Sequence, residues 1–343
     1  MNQIDSDIQE IISDTLIPWH DLRKKAILIT GCTGLLGSLL LRTMVAANDA
    51  FKLDMKIIGM TRNKQKANFF FKDFADSVTL VTWEDLPVIR HVDFILHTAA
   101  PTSSISFISE PVEVIHSIYS ELYNLLSFSK SNSLKAFIQF SSLEVYGNLD
   151  SEQVYEETKG SLDPFMLRSS YPEAKRLGES LCRAFFEEYG VPCMVVRLTQ
   201  CFGAGVNLGK DQRVFSEFAR NASEKLPIVL HTKGQTCRSY IYTSDAVRAI
   251  FLIMLKGKSG EAYNVANPGT YCSILELAHM IAQICGTEVT FDLNPVVSQR
   301  YCPVHKINLN TSKIEKLGWK PKVSLRESVL RMLKHHCENE KLR

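Results

Sequence analysis

The stretch AILITGCTGLLGS, residues 26–38, decides the fold of this 343-residue chain. It opens with a short apolar run rich in β-branched residues and passes into an apolar helical pattern that extends to Met44. The turn between the two contains three glycines, Gly31, Gly34 and Gly37. Small residues between a strand and a helix let backbone N–H groups approach phosphates at the positively polarised helix N-terminus. The stretch therefore predicts a dinucleotide pyrophosphate site, formed by these glycines together with Thr33, Leu35 and Leu36.

Further apolar runs alternate with helical patterns downstream. Strands are predicted over residues 56–60, 77–81, 92–96, 136–140 and 194–198, and a helix over 111–129. This alternation predicts an α/β fold, a Rossmann-type doubly wound parallel sheet with right-handed crossovers. Ligands of such sheets bind at the carboxyl ends of the strands.

Three regions are expected along the chain. Residues 1–24 form an N-terminal helical extension docked on the main domain, residues 25–200 the NAD(P)-binding Rossmann domain, and residues 201–343 mainly a smaller α/β substrate lobe interleaved with it. Within the third region we expect helices over 210–223 and 273–285, strands over 227–231 and 263–266, a helix cap at Asp245, and a solvated basic tail after residues 308–321.

Composition argues against several classes of protein. A net charge of +2 with scattered basic residues gives no electrostatic case for nucleic acid or a membrane surface. Nine cysteines show no C-x-x-C pair or metal-like spacing, so we expect reduced thiols and no metal. No leader peptide pattern and no bilayer-length apolar run is present. A cytoplasmic protein is expected.

The end of the second predicted strand bears on cofactor choice. An NAD site usually has an acid there for the adenosine ribose, whereas an arginine suits a 2′-phosphate. Here the strand is followed by Thr61-Arg62 and no acid, so Arg62 is a candidate cofactor-binding residue that favours NADP over NAD. Asp85 and Leu86, after the third strand, are expected to border the adenine.

The fourth strand ends in small residues. Ala99 and Ala100 permit close approach of a flat cofactor, and Pro101 and Thr102 follow as candidate substrate contacts. His97 is interpreted as structural, because the sequence shows no partner that would orient it.

Tyr171 and Lys175 are the candidate reacting groups. Serines followed by Pro172 indicate a helix start, and residues four apart then share one helix face. A tyrosine titrates near pH 10, so acting as a base near neutrality requires stabilising its anion by roughly 4 kcal/mol. The Lys175 cation and a nicotinamide ring are the expected means.

These motifs together resemble the extended short-chain dehydrogenase/reductases of the nucleotide-sugar epimerase/dehydratase type. The resemblance runs from Ala26 to about Trp319 and rests on TGCTGLLG, FILHTAA, FSSLEVYG, YPEAK and RSYIYTSDAV. It implies that Tyr171 is the base, that Lys175 orients it and binds the nicotinamide ribose, and that Ser142 bonds the substrate hydroxyl. It also implies a nucleotide-sugar substrate and a homodimer.

The segment Ser142-Leu143-Glu144 bears on the reaction. Dehydratases of this type have Thr-Asp-Glu there. In this sequence Leu143 stands at the position of the aspartate, so the catalytic acid of a dehydratase is missing. UDP-glucuronate decarboxylases are similar in having Ser/Thr-x-Glu, an arginine at the position of Arg168 and a Lys-Arg pair at 175–176. The resemblance therefore favours decarboxylation through a 4-keto sugar, with Glu144 positioning water or protonating C5. Alternatives are a nucleotide-sugar 4-epimerase, a 4,6-dehydratase, or a non-catalytic NAD(P)-sensing regulator.

Two further residues are placed by the resemblance in the substrate lobe. Gln200 matches the amide of the family's Asn-x-Tyr-Gly-Pro turn, and Arg238 matches the arginine that binds the substrate diphosphate. A planar guanidinium suits phosphate oxygens.

Overall fold

The computed structural model describes residues 1–294 and 304–340. Its strands, numbered along the chain, are β1 (Ala26–Thr30), β2 (Lys56–Met60), β3 (Val78–Val81), β4 (Phe94–His97), β5 (Ala136–Ser142), β6 (Gln153–Val154), β7 (Cys193–Leu198), β8 (Gln200–Phe202), β9 (Ile228–Leu230), β10 (Cys237–Tyr242), β11 (Ala262–Val265), β12 (Asn267–Ser273), β13 (Val289–Phe291) and β14 (Lys306–Leu309).

The α-helices are numbered in the same way. They are α1 (Gln3–Ile12), α2 (Leu35–Phe51), α3 (Lys64–Phe70), α4 (Ser106–Ser109), α5 (Pro111–Ser129), α6 (Ser170–Tyr189), α7 (Val214–Ser223), α8 (Thr243–Lys256), α9 (Ile274–Cys285), α10 (Ser312–Glu315) and α11 (Leu325–Glu340). Among the described residues, no helix is both long enough and apolar enough to cross a bilayer.

Seven parallel strands form the main sheet in the order β11-β7-β5-β4-β1-β2-β3. The order reverses beside β1, so β1 and β4 leave a crevice between the loops at their carboxyl ends. The predicted doubly wound parallel sheet is confirmed. Strand β11 joins this sheet although it lies late in the chain, because helix α8 crosses back from the second lobe.

Successive strand residues point to opposite faces of the sheet, and both faces are covered by helices. Ile27 and Ile29 pack with helices α1, α2 and α8, whereas Leu28 packs with helices α5 and α6. This explains why the central strand is apolar at every position rather than at alternate ones.

The second lobe is built on a smaller sheet of order β12-β10-β14-β6, with β8 added alongside β10, and on the pair β13-β9. Its core combines aromatic residues of β8 and α7 with aliphatic residues of α9 and α11. Through β8 and β10, this lobe lies directly after the last strands of the main sheet.

Three sequence-based expectations are corrected in this lobe. Helix α7 begins at Val214 rather than at residue 210. The expected basic tail is instead helix α11, which buries Val329 and Met332. Asp245 does not cap α8. Its buried carboxylate accepts hydrogen bonds from the backbone of Lys322 and Val323 and pairs with Arg248.

Candidate active site

The glycine turn is shaped by close packing at the end of β1. Gly31 has a φ of +61°, and a Cβ there would lie 2.9 Å from the Ala99 Cα. A Cβ at Gly37 would lie 2.3 Å from the Gly31 carbonyl oxygen. Glycine is therefore required for helix α2 and the segment after β4 to meet at this turn.

The start of helix α2 fits an anionic group. Gly34 is the N-cap residue and has no side chain to accept from the first turn, and that turn contains no acid. The backbone N–H groups of the first turn of α2, including those of Leu35 and Leu36, have no intrahelical acceptor. Thr33 lies half-buried beside them. The donor set matches a pyrophosphate, so the residues present fit the dinucleotide that the sequence predicts.

A buried hydrogen-bond network fixes the loop after β4. Thr30 Oγ1 lies 2.7 Å from His97 Nδ1 and also accepts from the Ala99 N–H, while Thr98 Oγ1 donates to the Thr30 carbonyl at 2.7 Å. Burial lowers the pKa of His97 to about 3, so the ring is neutral at physiological pH. His97 thus has the orienting partner that the sequence did not reveal, and its role is structural.

The adenosine end of the crevice is less regular. Arg62 is exposed after β2, and Asn63 caps helix α3. The Asp85 carboxylate accepts from the Thr82 N–H at 2.8 Å, which closes its own turn. Leu86 is buried and lines a pocket of about 530 Å³. That Asp85 and Leu86 border the adenine stays a prediction. Ala100, after β4, is half-buried.

Tyr171 and Lys175 lie in the first turns of helix α6 and are 7% and 3% exposed. The Tyr171 ring stacks on Phe107 with centroids 4.2 Å apart. Lys175 Nζ donates to the Phe140 carbonyl at 2.7 Å and lies over the Tyr171 ring. Phe107 lies in helix α4, just after Pro101 and Thr102, so the segment that follows β4 covers the tyrosine.

The electrostatics of this pair differ from the sequence-based expectation. Burial raises the pKa of Tyr171, and the negative charge of Glu144 adds to this, against hydrogen bonding from Ser142 and the positive charges of Arg168 and Arg213. Burial lowers the pKa of Lys175 to about 8. The chain alone therefore keeps Tyr171 protonated as a donor.

Glu144 and Arg168 form an ion pair beside the tyrosine. Arg168 lies 2.9–3.0 Å from the Glu144 carboxylate and stacks over Phe107, and both side chains are 26% exposed. The Glu144 N–H donates to Ser142 Oγ. Leu143, at the position of the dehydratase acid, is buried in apolar surroundings. Five predicted site residues are brought together here: Ser142, Glu144, Arg168, Tyr171 and Lys175.

Arg176 has a different role from its neighbours. It donates to the carbonyls of Val145 at 2.7 Å and Gly160 at 2.8 Å, and so ties the segment after β5 to helix α6. The Lys-Arg pair that resembles decarboxylases thus combines one residue of the site with one that holds its backbone.

The second lobe contributes a positively charged side chain, that of Arg238. Arg238 lies on β10, and its buried Nε has no hydrogen-bond partner among the described residues. Gln200 lies on the neighbouring strand β8. An unpaired buried guanidinium N–H is costly unless a ligand accepts from it, which fits an anionic substrate.

His305 lies near the candidate site and was not singled out from the sequence. It immediately precedes β14, which pairs with β10 such that Ile307 lies opposite Arg238. Burial and the charges of Arg238 and Arg168 lower the pKa of His305, while the charge of Glu144 opposes them, so the ring is within electrostatic range of the Glu144–Arg168 pair. The only sequence signal was a histidine before a short apolar run, which is too common to indicate a site.

Comparison with known proteins agrees with this geometry. The model of the NAD dependent epimerase/dehydratase family matches residues 27–266. A UDP-glucuronic acid decarboxylase of Arabidopsis thaliana is 28% identical over 91% of this chain and 69% of its own length, and one of Xenopus tropicalis is 27% identical over 92% and 73%.

Solved structures show the same fold. An epimerase from Methanothermobacter thermautotrophicus has a TM-score of 0.83 at 21% identity, covering 96% of this chain and 97% of that one. A dTDP-glucose 4,6-dehydratase from Streptomyces venezuelae with NAD bound has a TM-score of 0.76 at 22% identity, covering 92% and 98%. The sheet order, the glycine turn and the Tyr171–Lys175 helix define an extended short-chain dehydrogenase/reductase. The chain belongs to the NAD-dependent epimerase/dehydratase family.

Proposed function

We propose that this protein is an NAD-dependent nucleotide-sugar enzyme that decarboxylates UDP-glucuronate through a transient 4-keto sugar. The observation that carries the proposal is the Glu144–Arg168 pair beside Tyr171 and Ser142. The decarboxylase relatives, which match about nine-tenths of the chain, support it. NAD is supported by the family, whereas a preference for NADP from Arg62 stays a prediction of the sequence.

The dinucleotide, when bound, supplies the hydride acceptor and donor. Tyr171, as the base, accepts the proton of the C4 hydroxyl, and Ser142 bonds the same oxygen. Lys175 is held near the tyrosine by the Phe140 carbonyl, so its charge is available to favour the phenolate. Because burial and the charge of Glu144 disfavour that phenolate, oxidation relies on the Lys175 cation together with the positive nicotinamide ring that oxidised NAD would supply.

The Glu144–Arg168 pair acts in the second step, the loss of carbon dioxide and the protonation that follows it. A C4 ketone makes the C6 carboxylate a β-keto acid, which loses carbon dioxide and leaves an enolate to be protonated at C5. Glu144 delivers that proton directly or through water, and Arg168 keeps the carboxylate oriented. Arg238 and Gln200 hold the substrate diphosphate on the second lobe.

Other reactions of the same intermediate are the main alternatives. A 4-epimerase needs no carboxylate at Glu144, and a 4,6-dehydratase needs an acid where buried Leu143 stands. Product NMR after incubation with UDP-glucuronate, UDP-glucose and dTDP-glucose separates them. We expect a UDP-pentose from the first substrate alone; an epimer or a 4-keto-6-deoxy sugar would replace this proposal.

A non-catalytic sensor of NAD(P) is the alternative of another class. The Tyr171→Phe substitution discriminates, since it removes the base and keeps the stack on Phe107. An enzyme should lose turnover while it still binds NAD. A sensor should give no product with or without the substitution.

We also propose a homodimer through helices α5 and α6. Val112, Ile115 and Tyr119 on α5 are exposed apolar residues, and with Leu177 on α6 they line a shallow apolar pocket of about 430 Å³. Such a stripe beside the site helix suits a second copy of the same two helices.

A further inference from the structure

A second pocket, away from the sugar site, lies between the turn after β3 and helix α5. It has a volume of about 530 Å³, within the range of small-molecule sites. Its lining combines apolar and polar side chains: Trp83, Leu86, Pro87, Ser120, Glu121, Asn124 and Phe128. Leu86 is the residue that the sequence predicts to border the adenine, and on that prediction this pocket lies at the adenosine end of the crevice.

Glu121 is the acid of this pocket, on the face of helix α5 that lines it. The charges of Arg62, at the end of β2, and of Lys175, in the sugar site, both act on its carboxylate. Lys175 experiences the reciprocal effect of Glu121. The carboxylate is thus within electrostatic range of the adenosine end and the nicotinamide end together.

The Glu121 carboxylate is half-buried and unpaired. Burial raises its pKa, and among the described residues none donates a hydrogen bond to it or lies within ion-pair distance. An ordinary surface acid on this helix, such as Glu113, is exposed. Removing a carboxylate from water without a partner is unfavourable, which indicates that a ligand supplies the donors.

We propose that Glu121 takes the place of the acid missing from the end of β2. Its carboxylate accepts hydrogen bonds from the adenosine ribose hydroxyls and repels a 2′-phosphate, and it offsets the positive charge of Arg62. The site then selects NAD over NADP, in contrast to the preference predicted from Arg62 alone. This inference rests on the proposed function only for its use of a nicotinamide dinucleotide.

Isothermal titration of the purified protein with NAD and with NADP tests the proposal without the sugar reaction. We expect the wild type to bind NAD more tightly, and Glu121→Gln to lower that preference by about tenfold, as expected for loss of a charged hydrogen-bond acceptor. Glu121→Ala should act in the same direction and serves if the first variant folds poorly. Glu113→Gln, on the same helix, should leave the preference unchanged.

Two results would overturn the inference while leaving the proposed function intact: a wild type that prefers NADP, or Glu121 variants with the wild-type ratio of affinities. A wild type that binds neither dinucleotide would overturn both. If both Glu121 variants turn over UDP-glucuronate and keep the wild-type preference for NAD, the role of Glu121 is contradicted and the proposed function is kept.

Discussion

Some residues of the candidate site are brought together by one helix, and others only by tertiary packing. Tyr171 and Lys175 are four apart on one helix, so their proximity follows from helix geometry and was predicted from sequence. The Glu144–Arg168 pair joins residues 24 apart across two loops. No local rule brings those two together, and the raised pKa of Tyr171 depends on that same tertiary packing.

His97 provides a test at this scale, because its pKa of about 3 in the fold lies far below its ordinary value of 6.5. Below pH 6.5 the unfolded chain binds a proton at His97 that the folded protein does not bind. The free energy of unfolding therefore decreases as the pH is lowered. Between pH 6.5 and 5 the loss is about 1.7 kcal/mol.

Urea denaturation at these two pH values measures that loss. We expect His97→Gln, which retains a partner for Thr30, to lose less stability between them than the wild type. A His279→Gln control on the exposed face of α9 should behave like the wild type. Equal losses in the wild type and His97→Gln would show that another group causes the acid sensitivity.

At the scale of elements, long periodic segments were predicted well and the C-terminal helix was not. Residues 325–340 do carry apolar residues at helical spacing, but the arginines, lysine and histidines among them suggested a solvated basic tail. Helix α11 is held by contacts with helix α1, more than 300 residues earlier. Arg331 bonds Asp7, which is fully buried, as well as Glu10.

This junction between the first and last helices predicts a large cost for losing Arg331. The Asp7 carboxylate also accepts from Tyr242, but without Arg331 a buried charge loses its cation. We expect Arg331→Gln to lower the free energy of unfolding by about 3 kcal/mol. Chemical denaturation should show almost no effect for Arg326→Gln, an exposed residue of the same helix. A similarly small effect for Arg331→Gln would mean that α11 does not depend on this pair.

At the scale of the whole molecule, the alternating pattern was sufficient for the doubly wound sheet, because short right-handed crossovers leave few topologies for alternating strands and helices. What it could not provide is how the lobes meet. Arg238 and His305 reach the site through pairing of β10 with β14, between segments separated by more than 60 residues. Such pairing depends on non-local register, which a single sequence does not encode in any short pattern.

The proposed dimer is a prediction at this scale. Ile115 is 42% exposed in the centre of the apolar stripe, so Ile115→Asp places a charge where two copies would meet. We expect light scattering to give a dimer for the wild type and a monomer for the variant. Val88→Asp, another exposed apolar residue outside the stripe, should remain dimeric. A monomeric wild type would exclude this interface.

The central claim is that Tyr171, Ser142 and Glu144 act on UDP-glucuronate. The most direct measurement is release of labelled carbon dioxide from UDP-glucuronate labelled at its carboxyl carbon, in the presence of NAD. We predict release together with a UDP-pentose, loss of both in Tyr171→Phe, and at least a hundredfold slower release in Glu144→Gln, a size typical of removing an acid–base group. Retention of all label in the nucleotide sugar by the folded wild type would contradict the account.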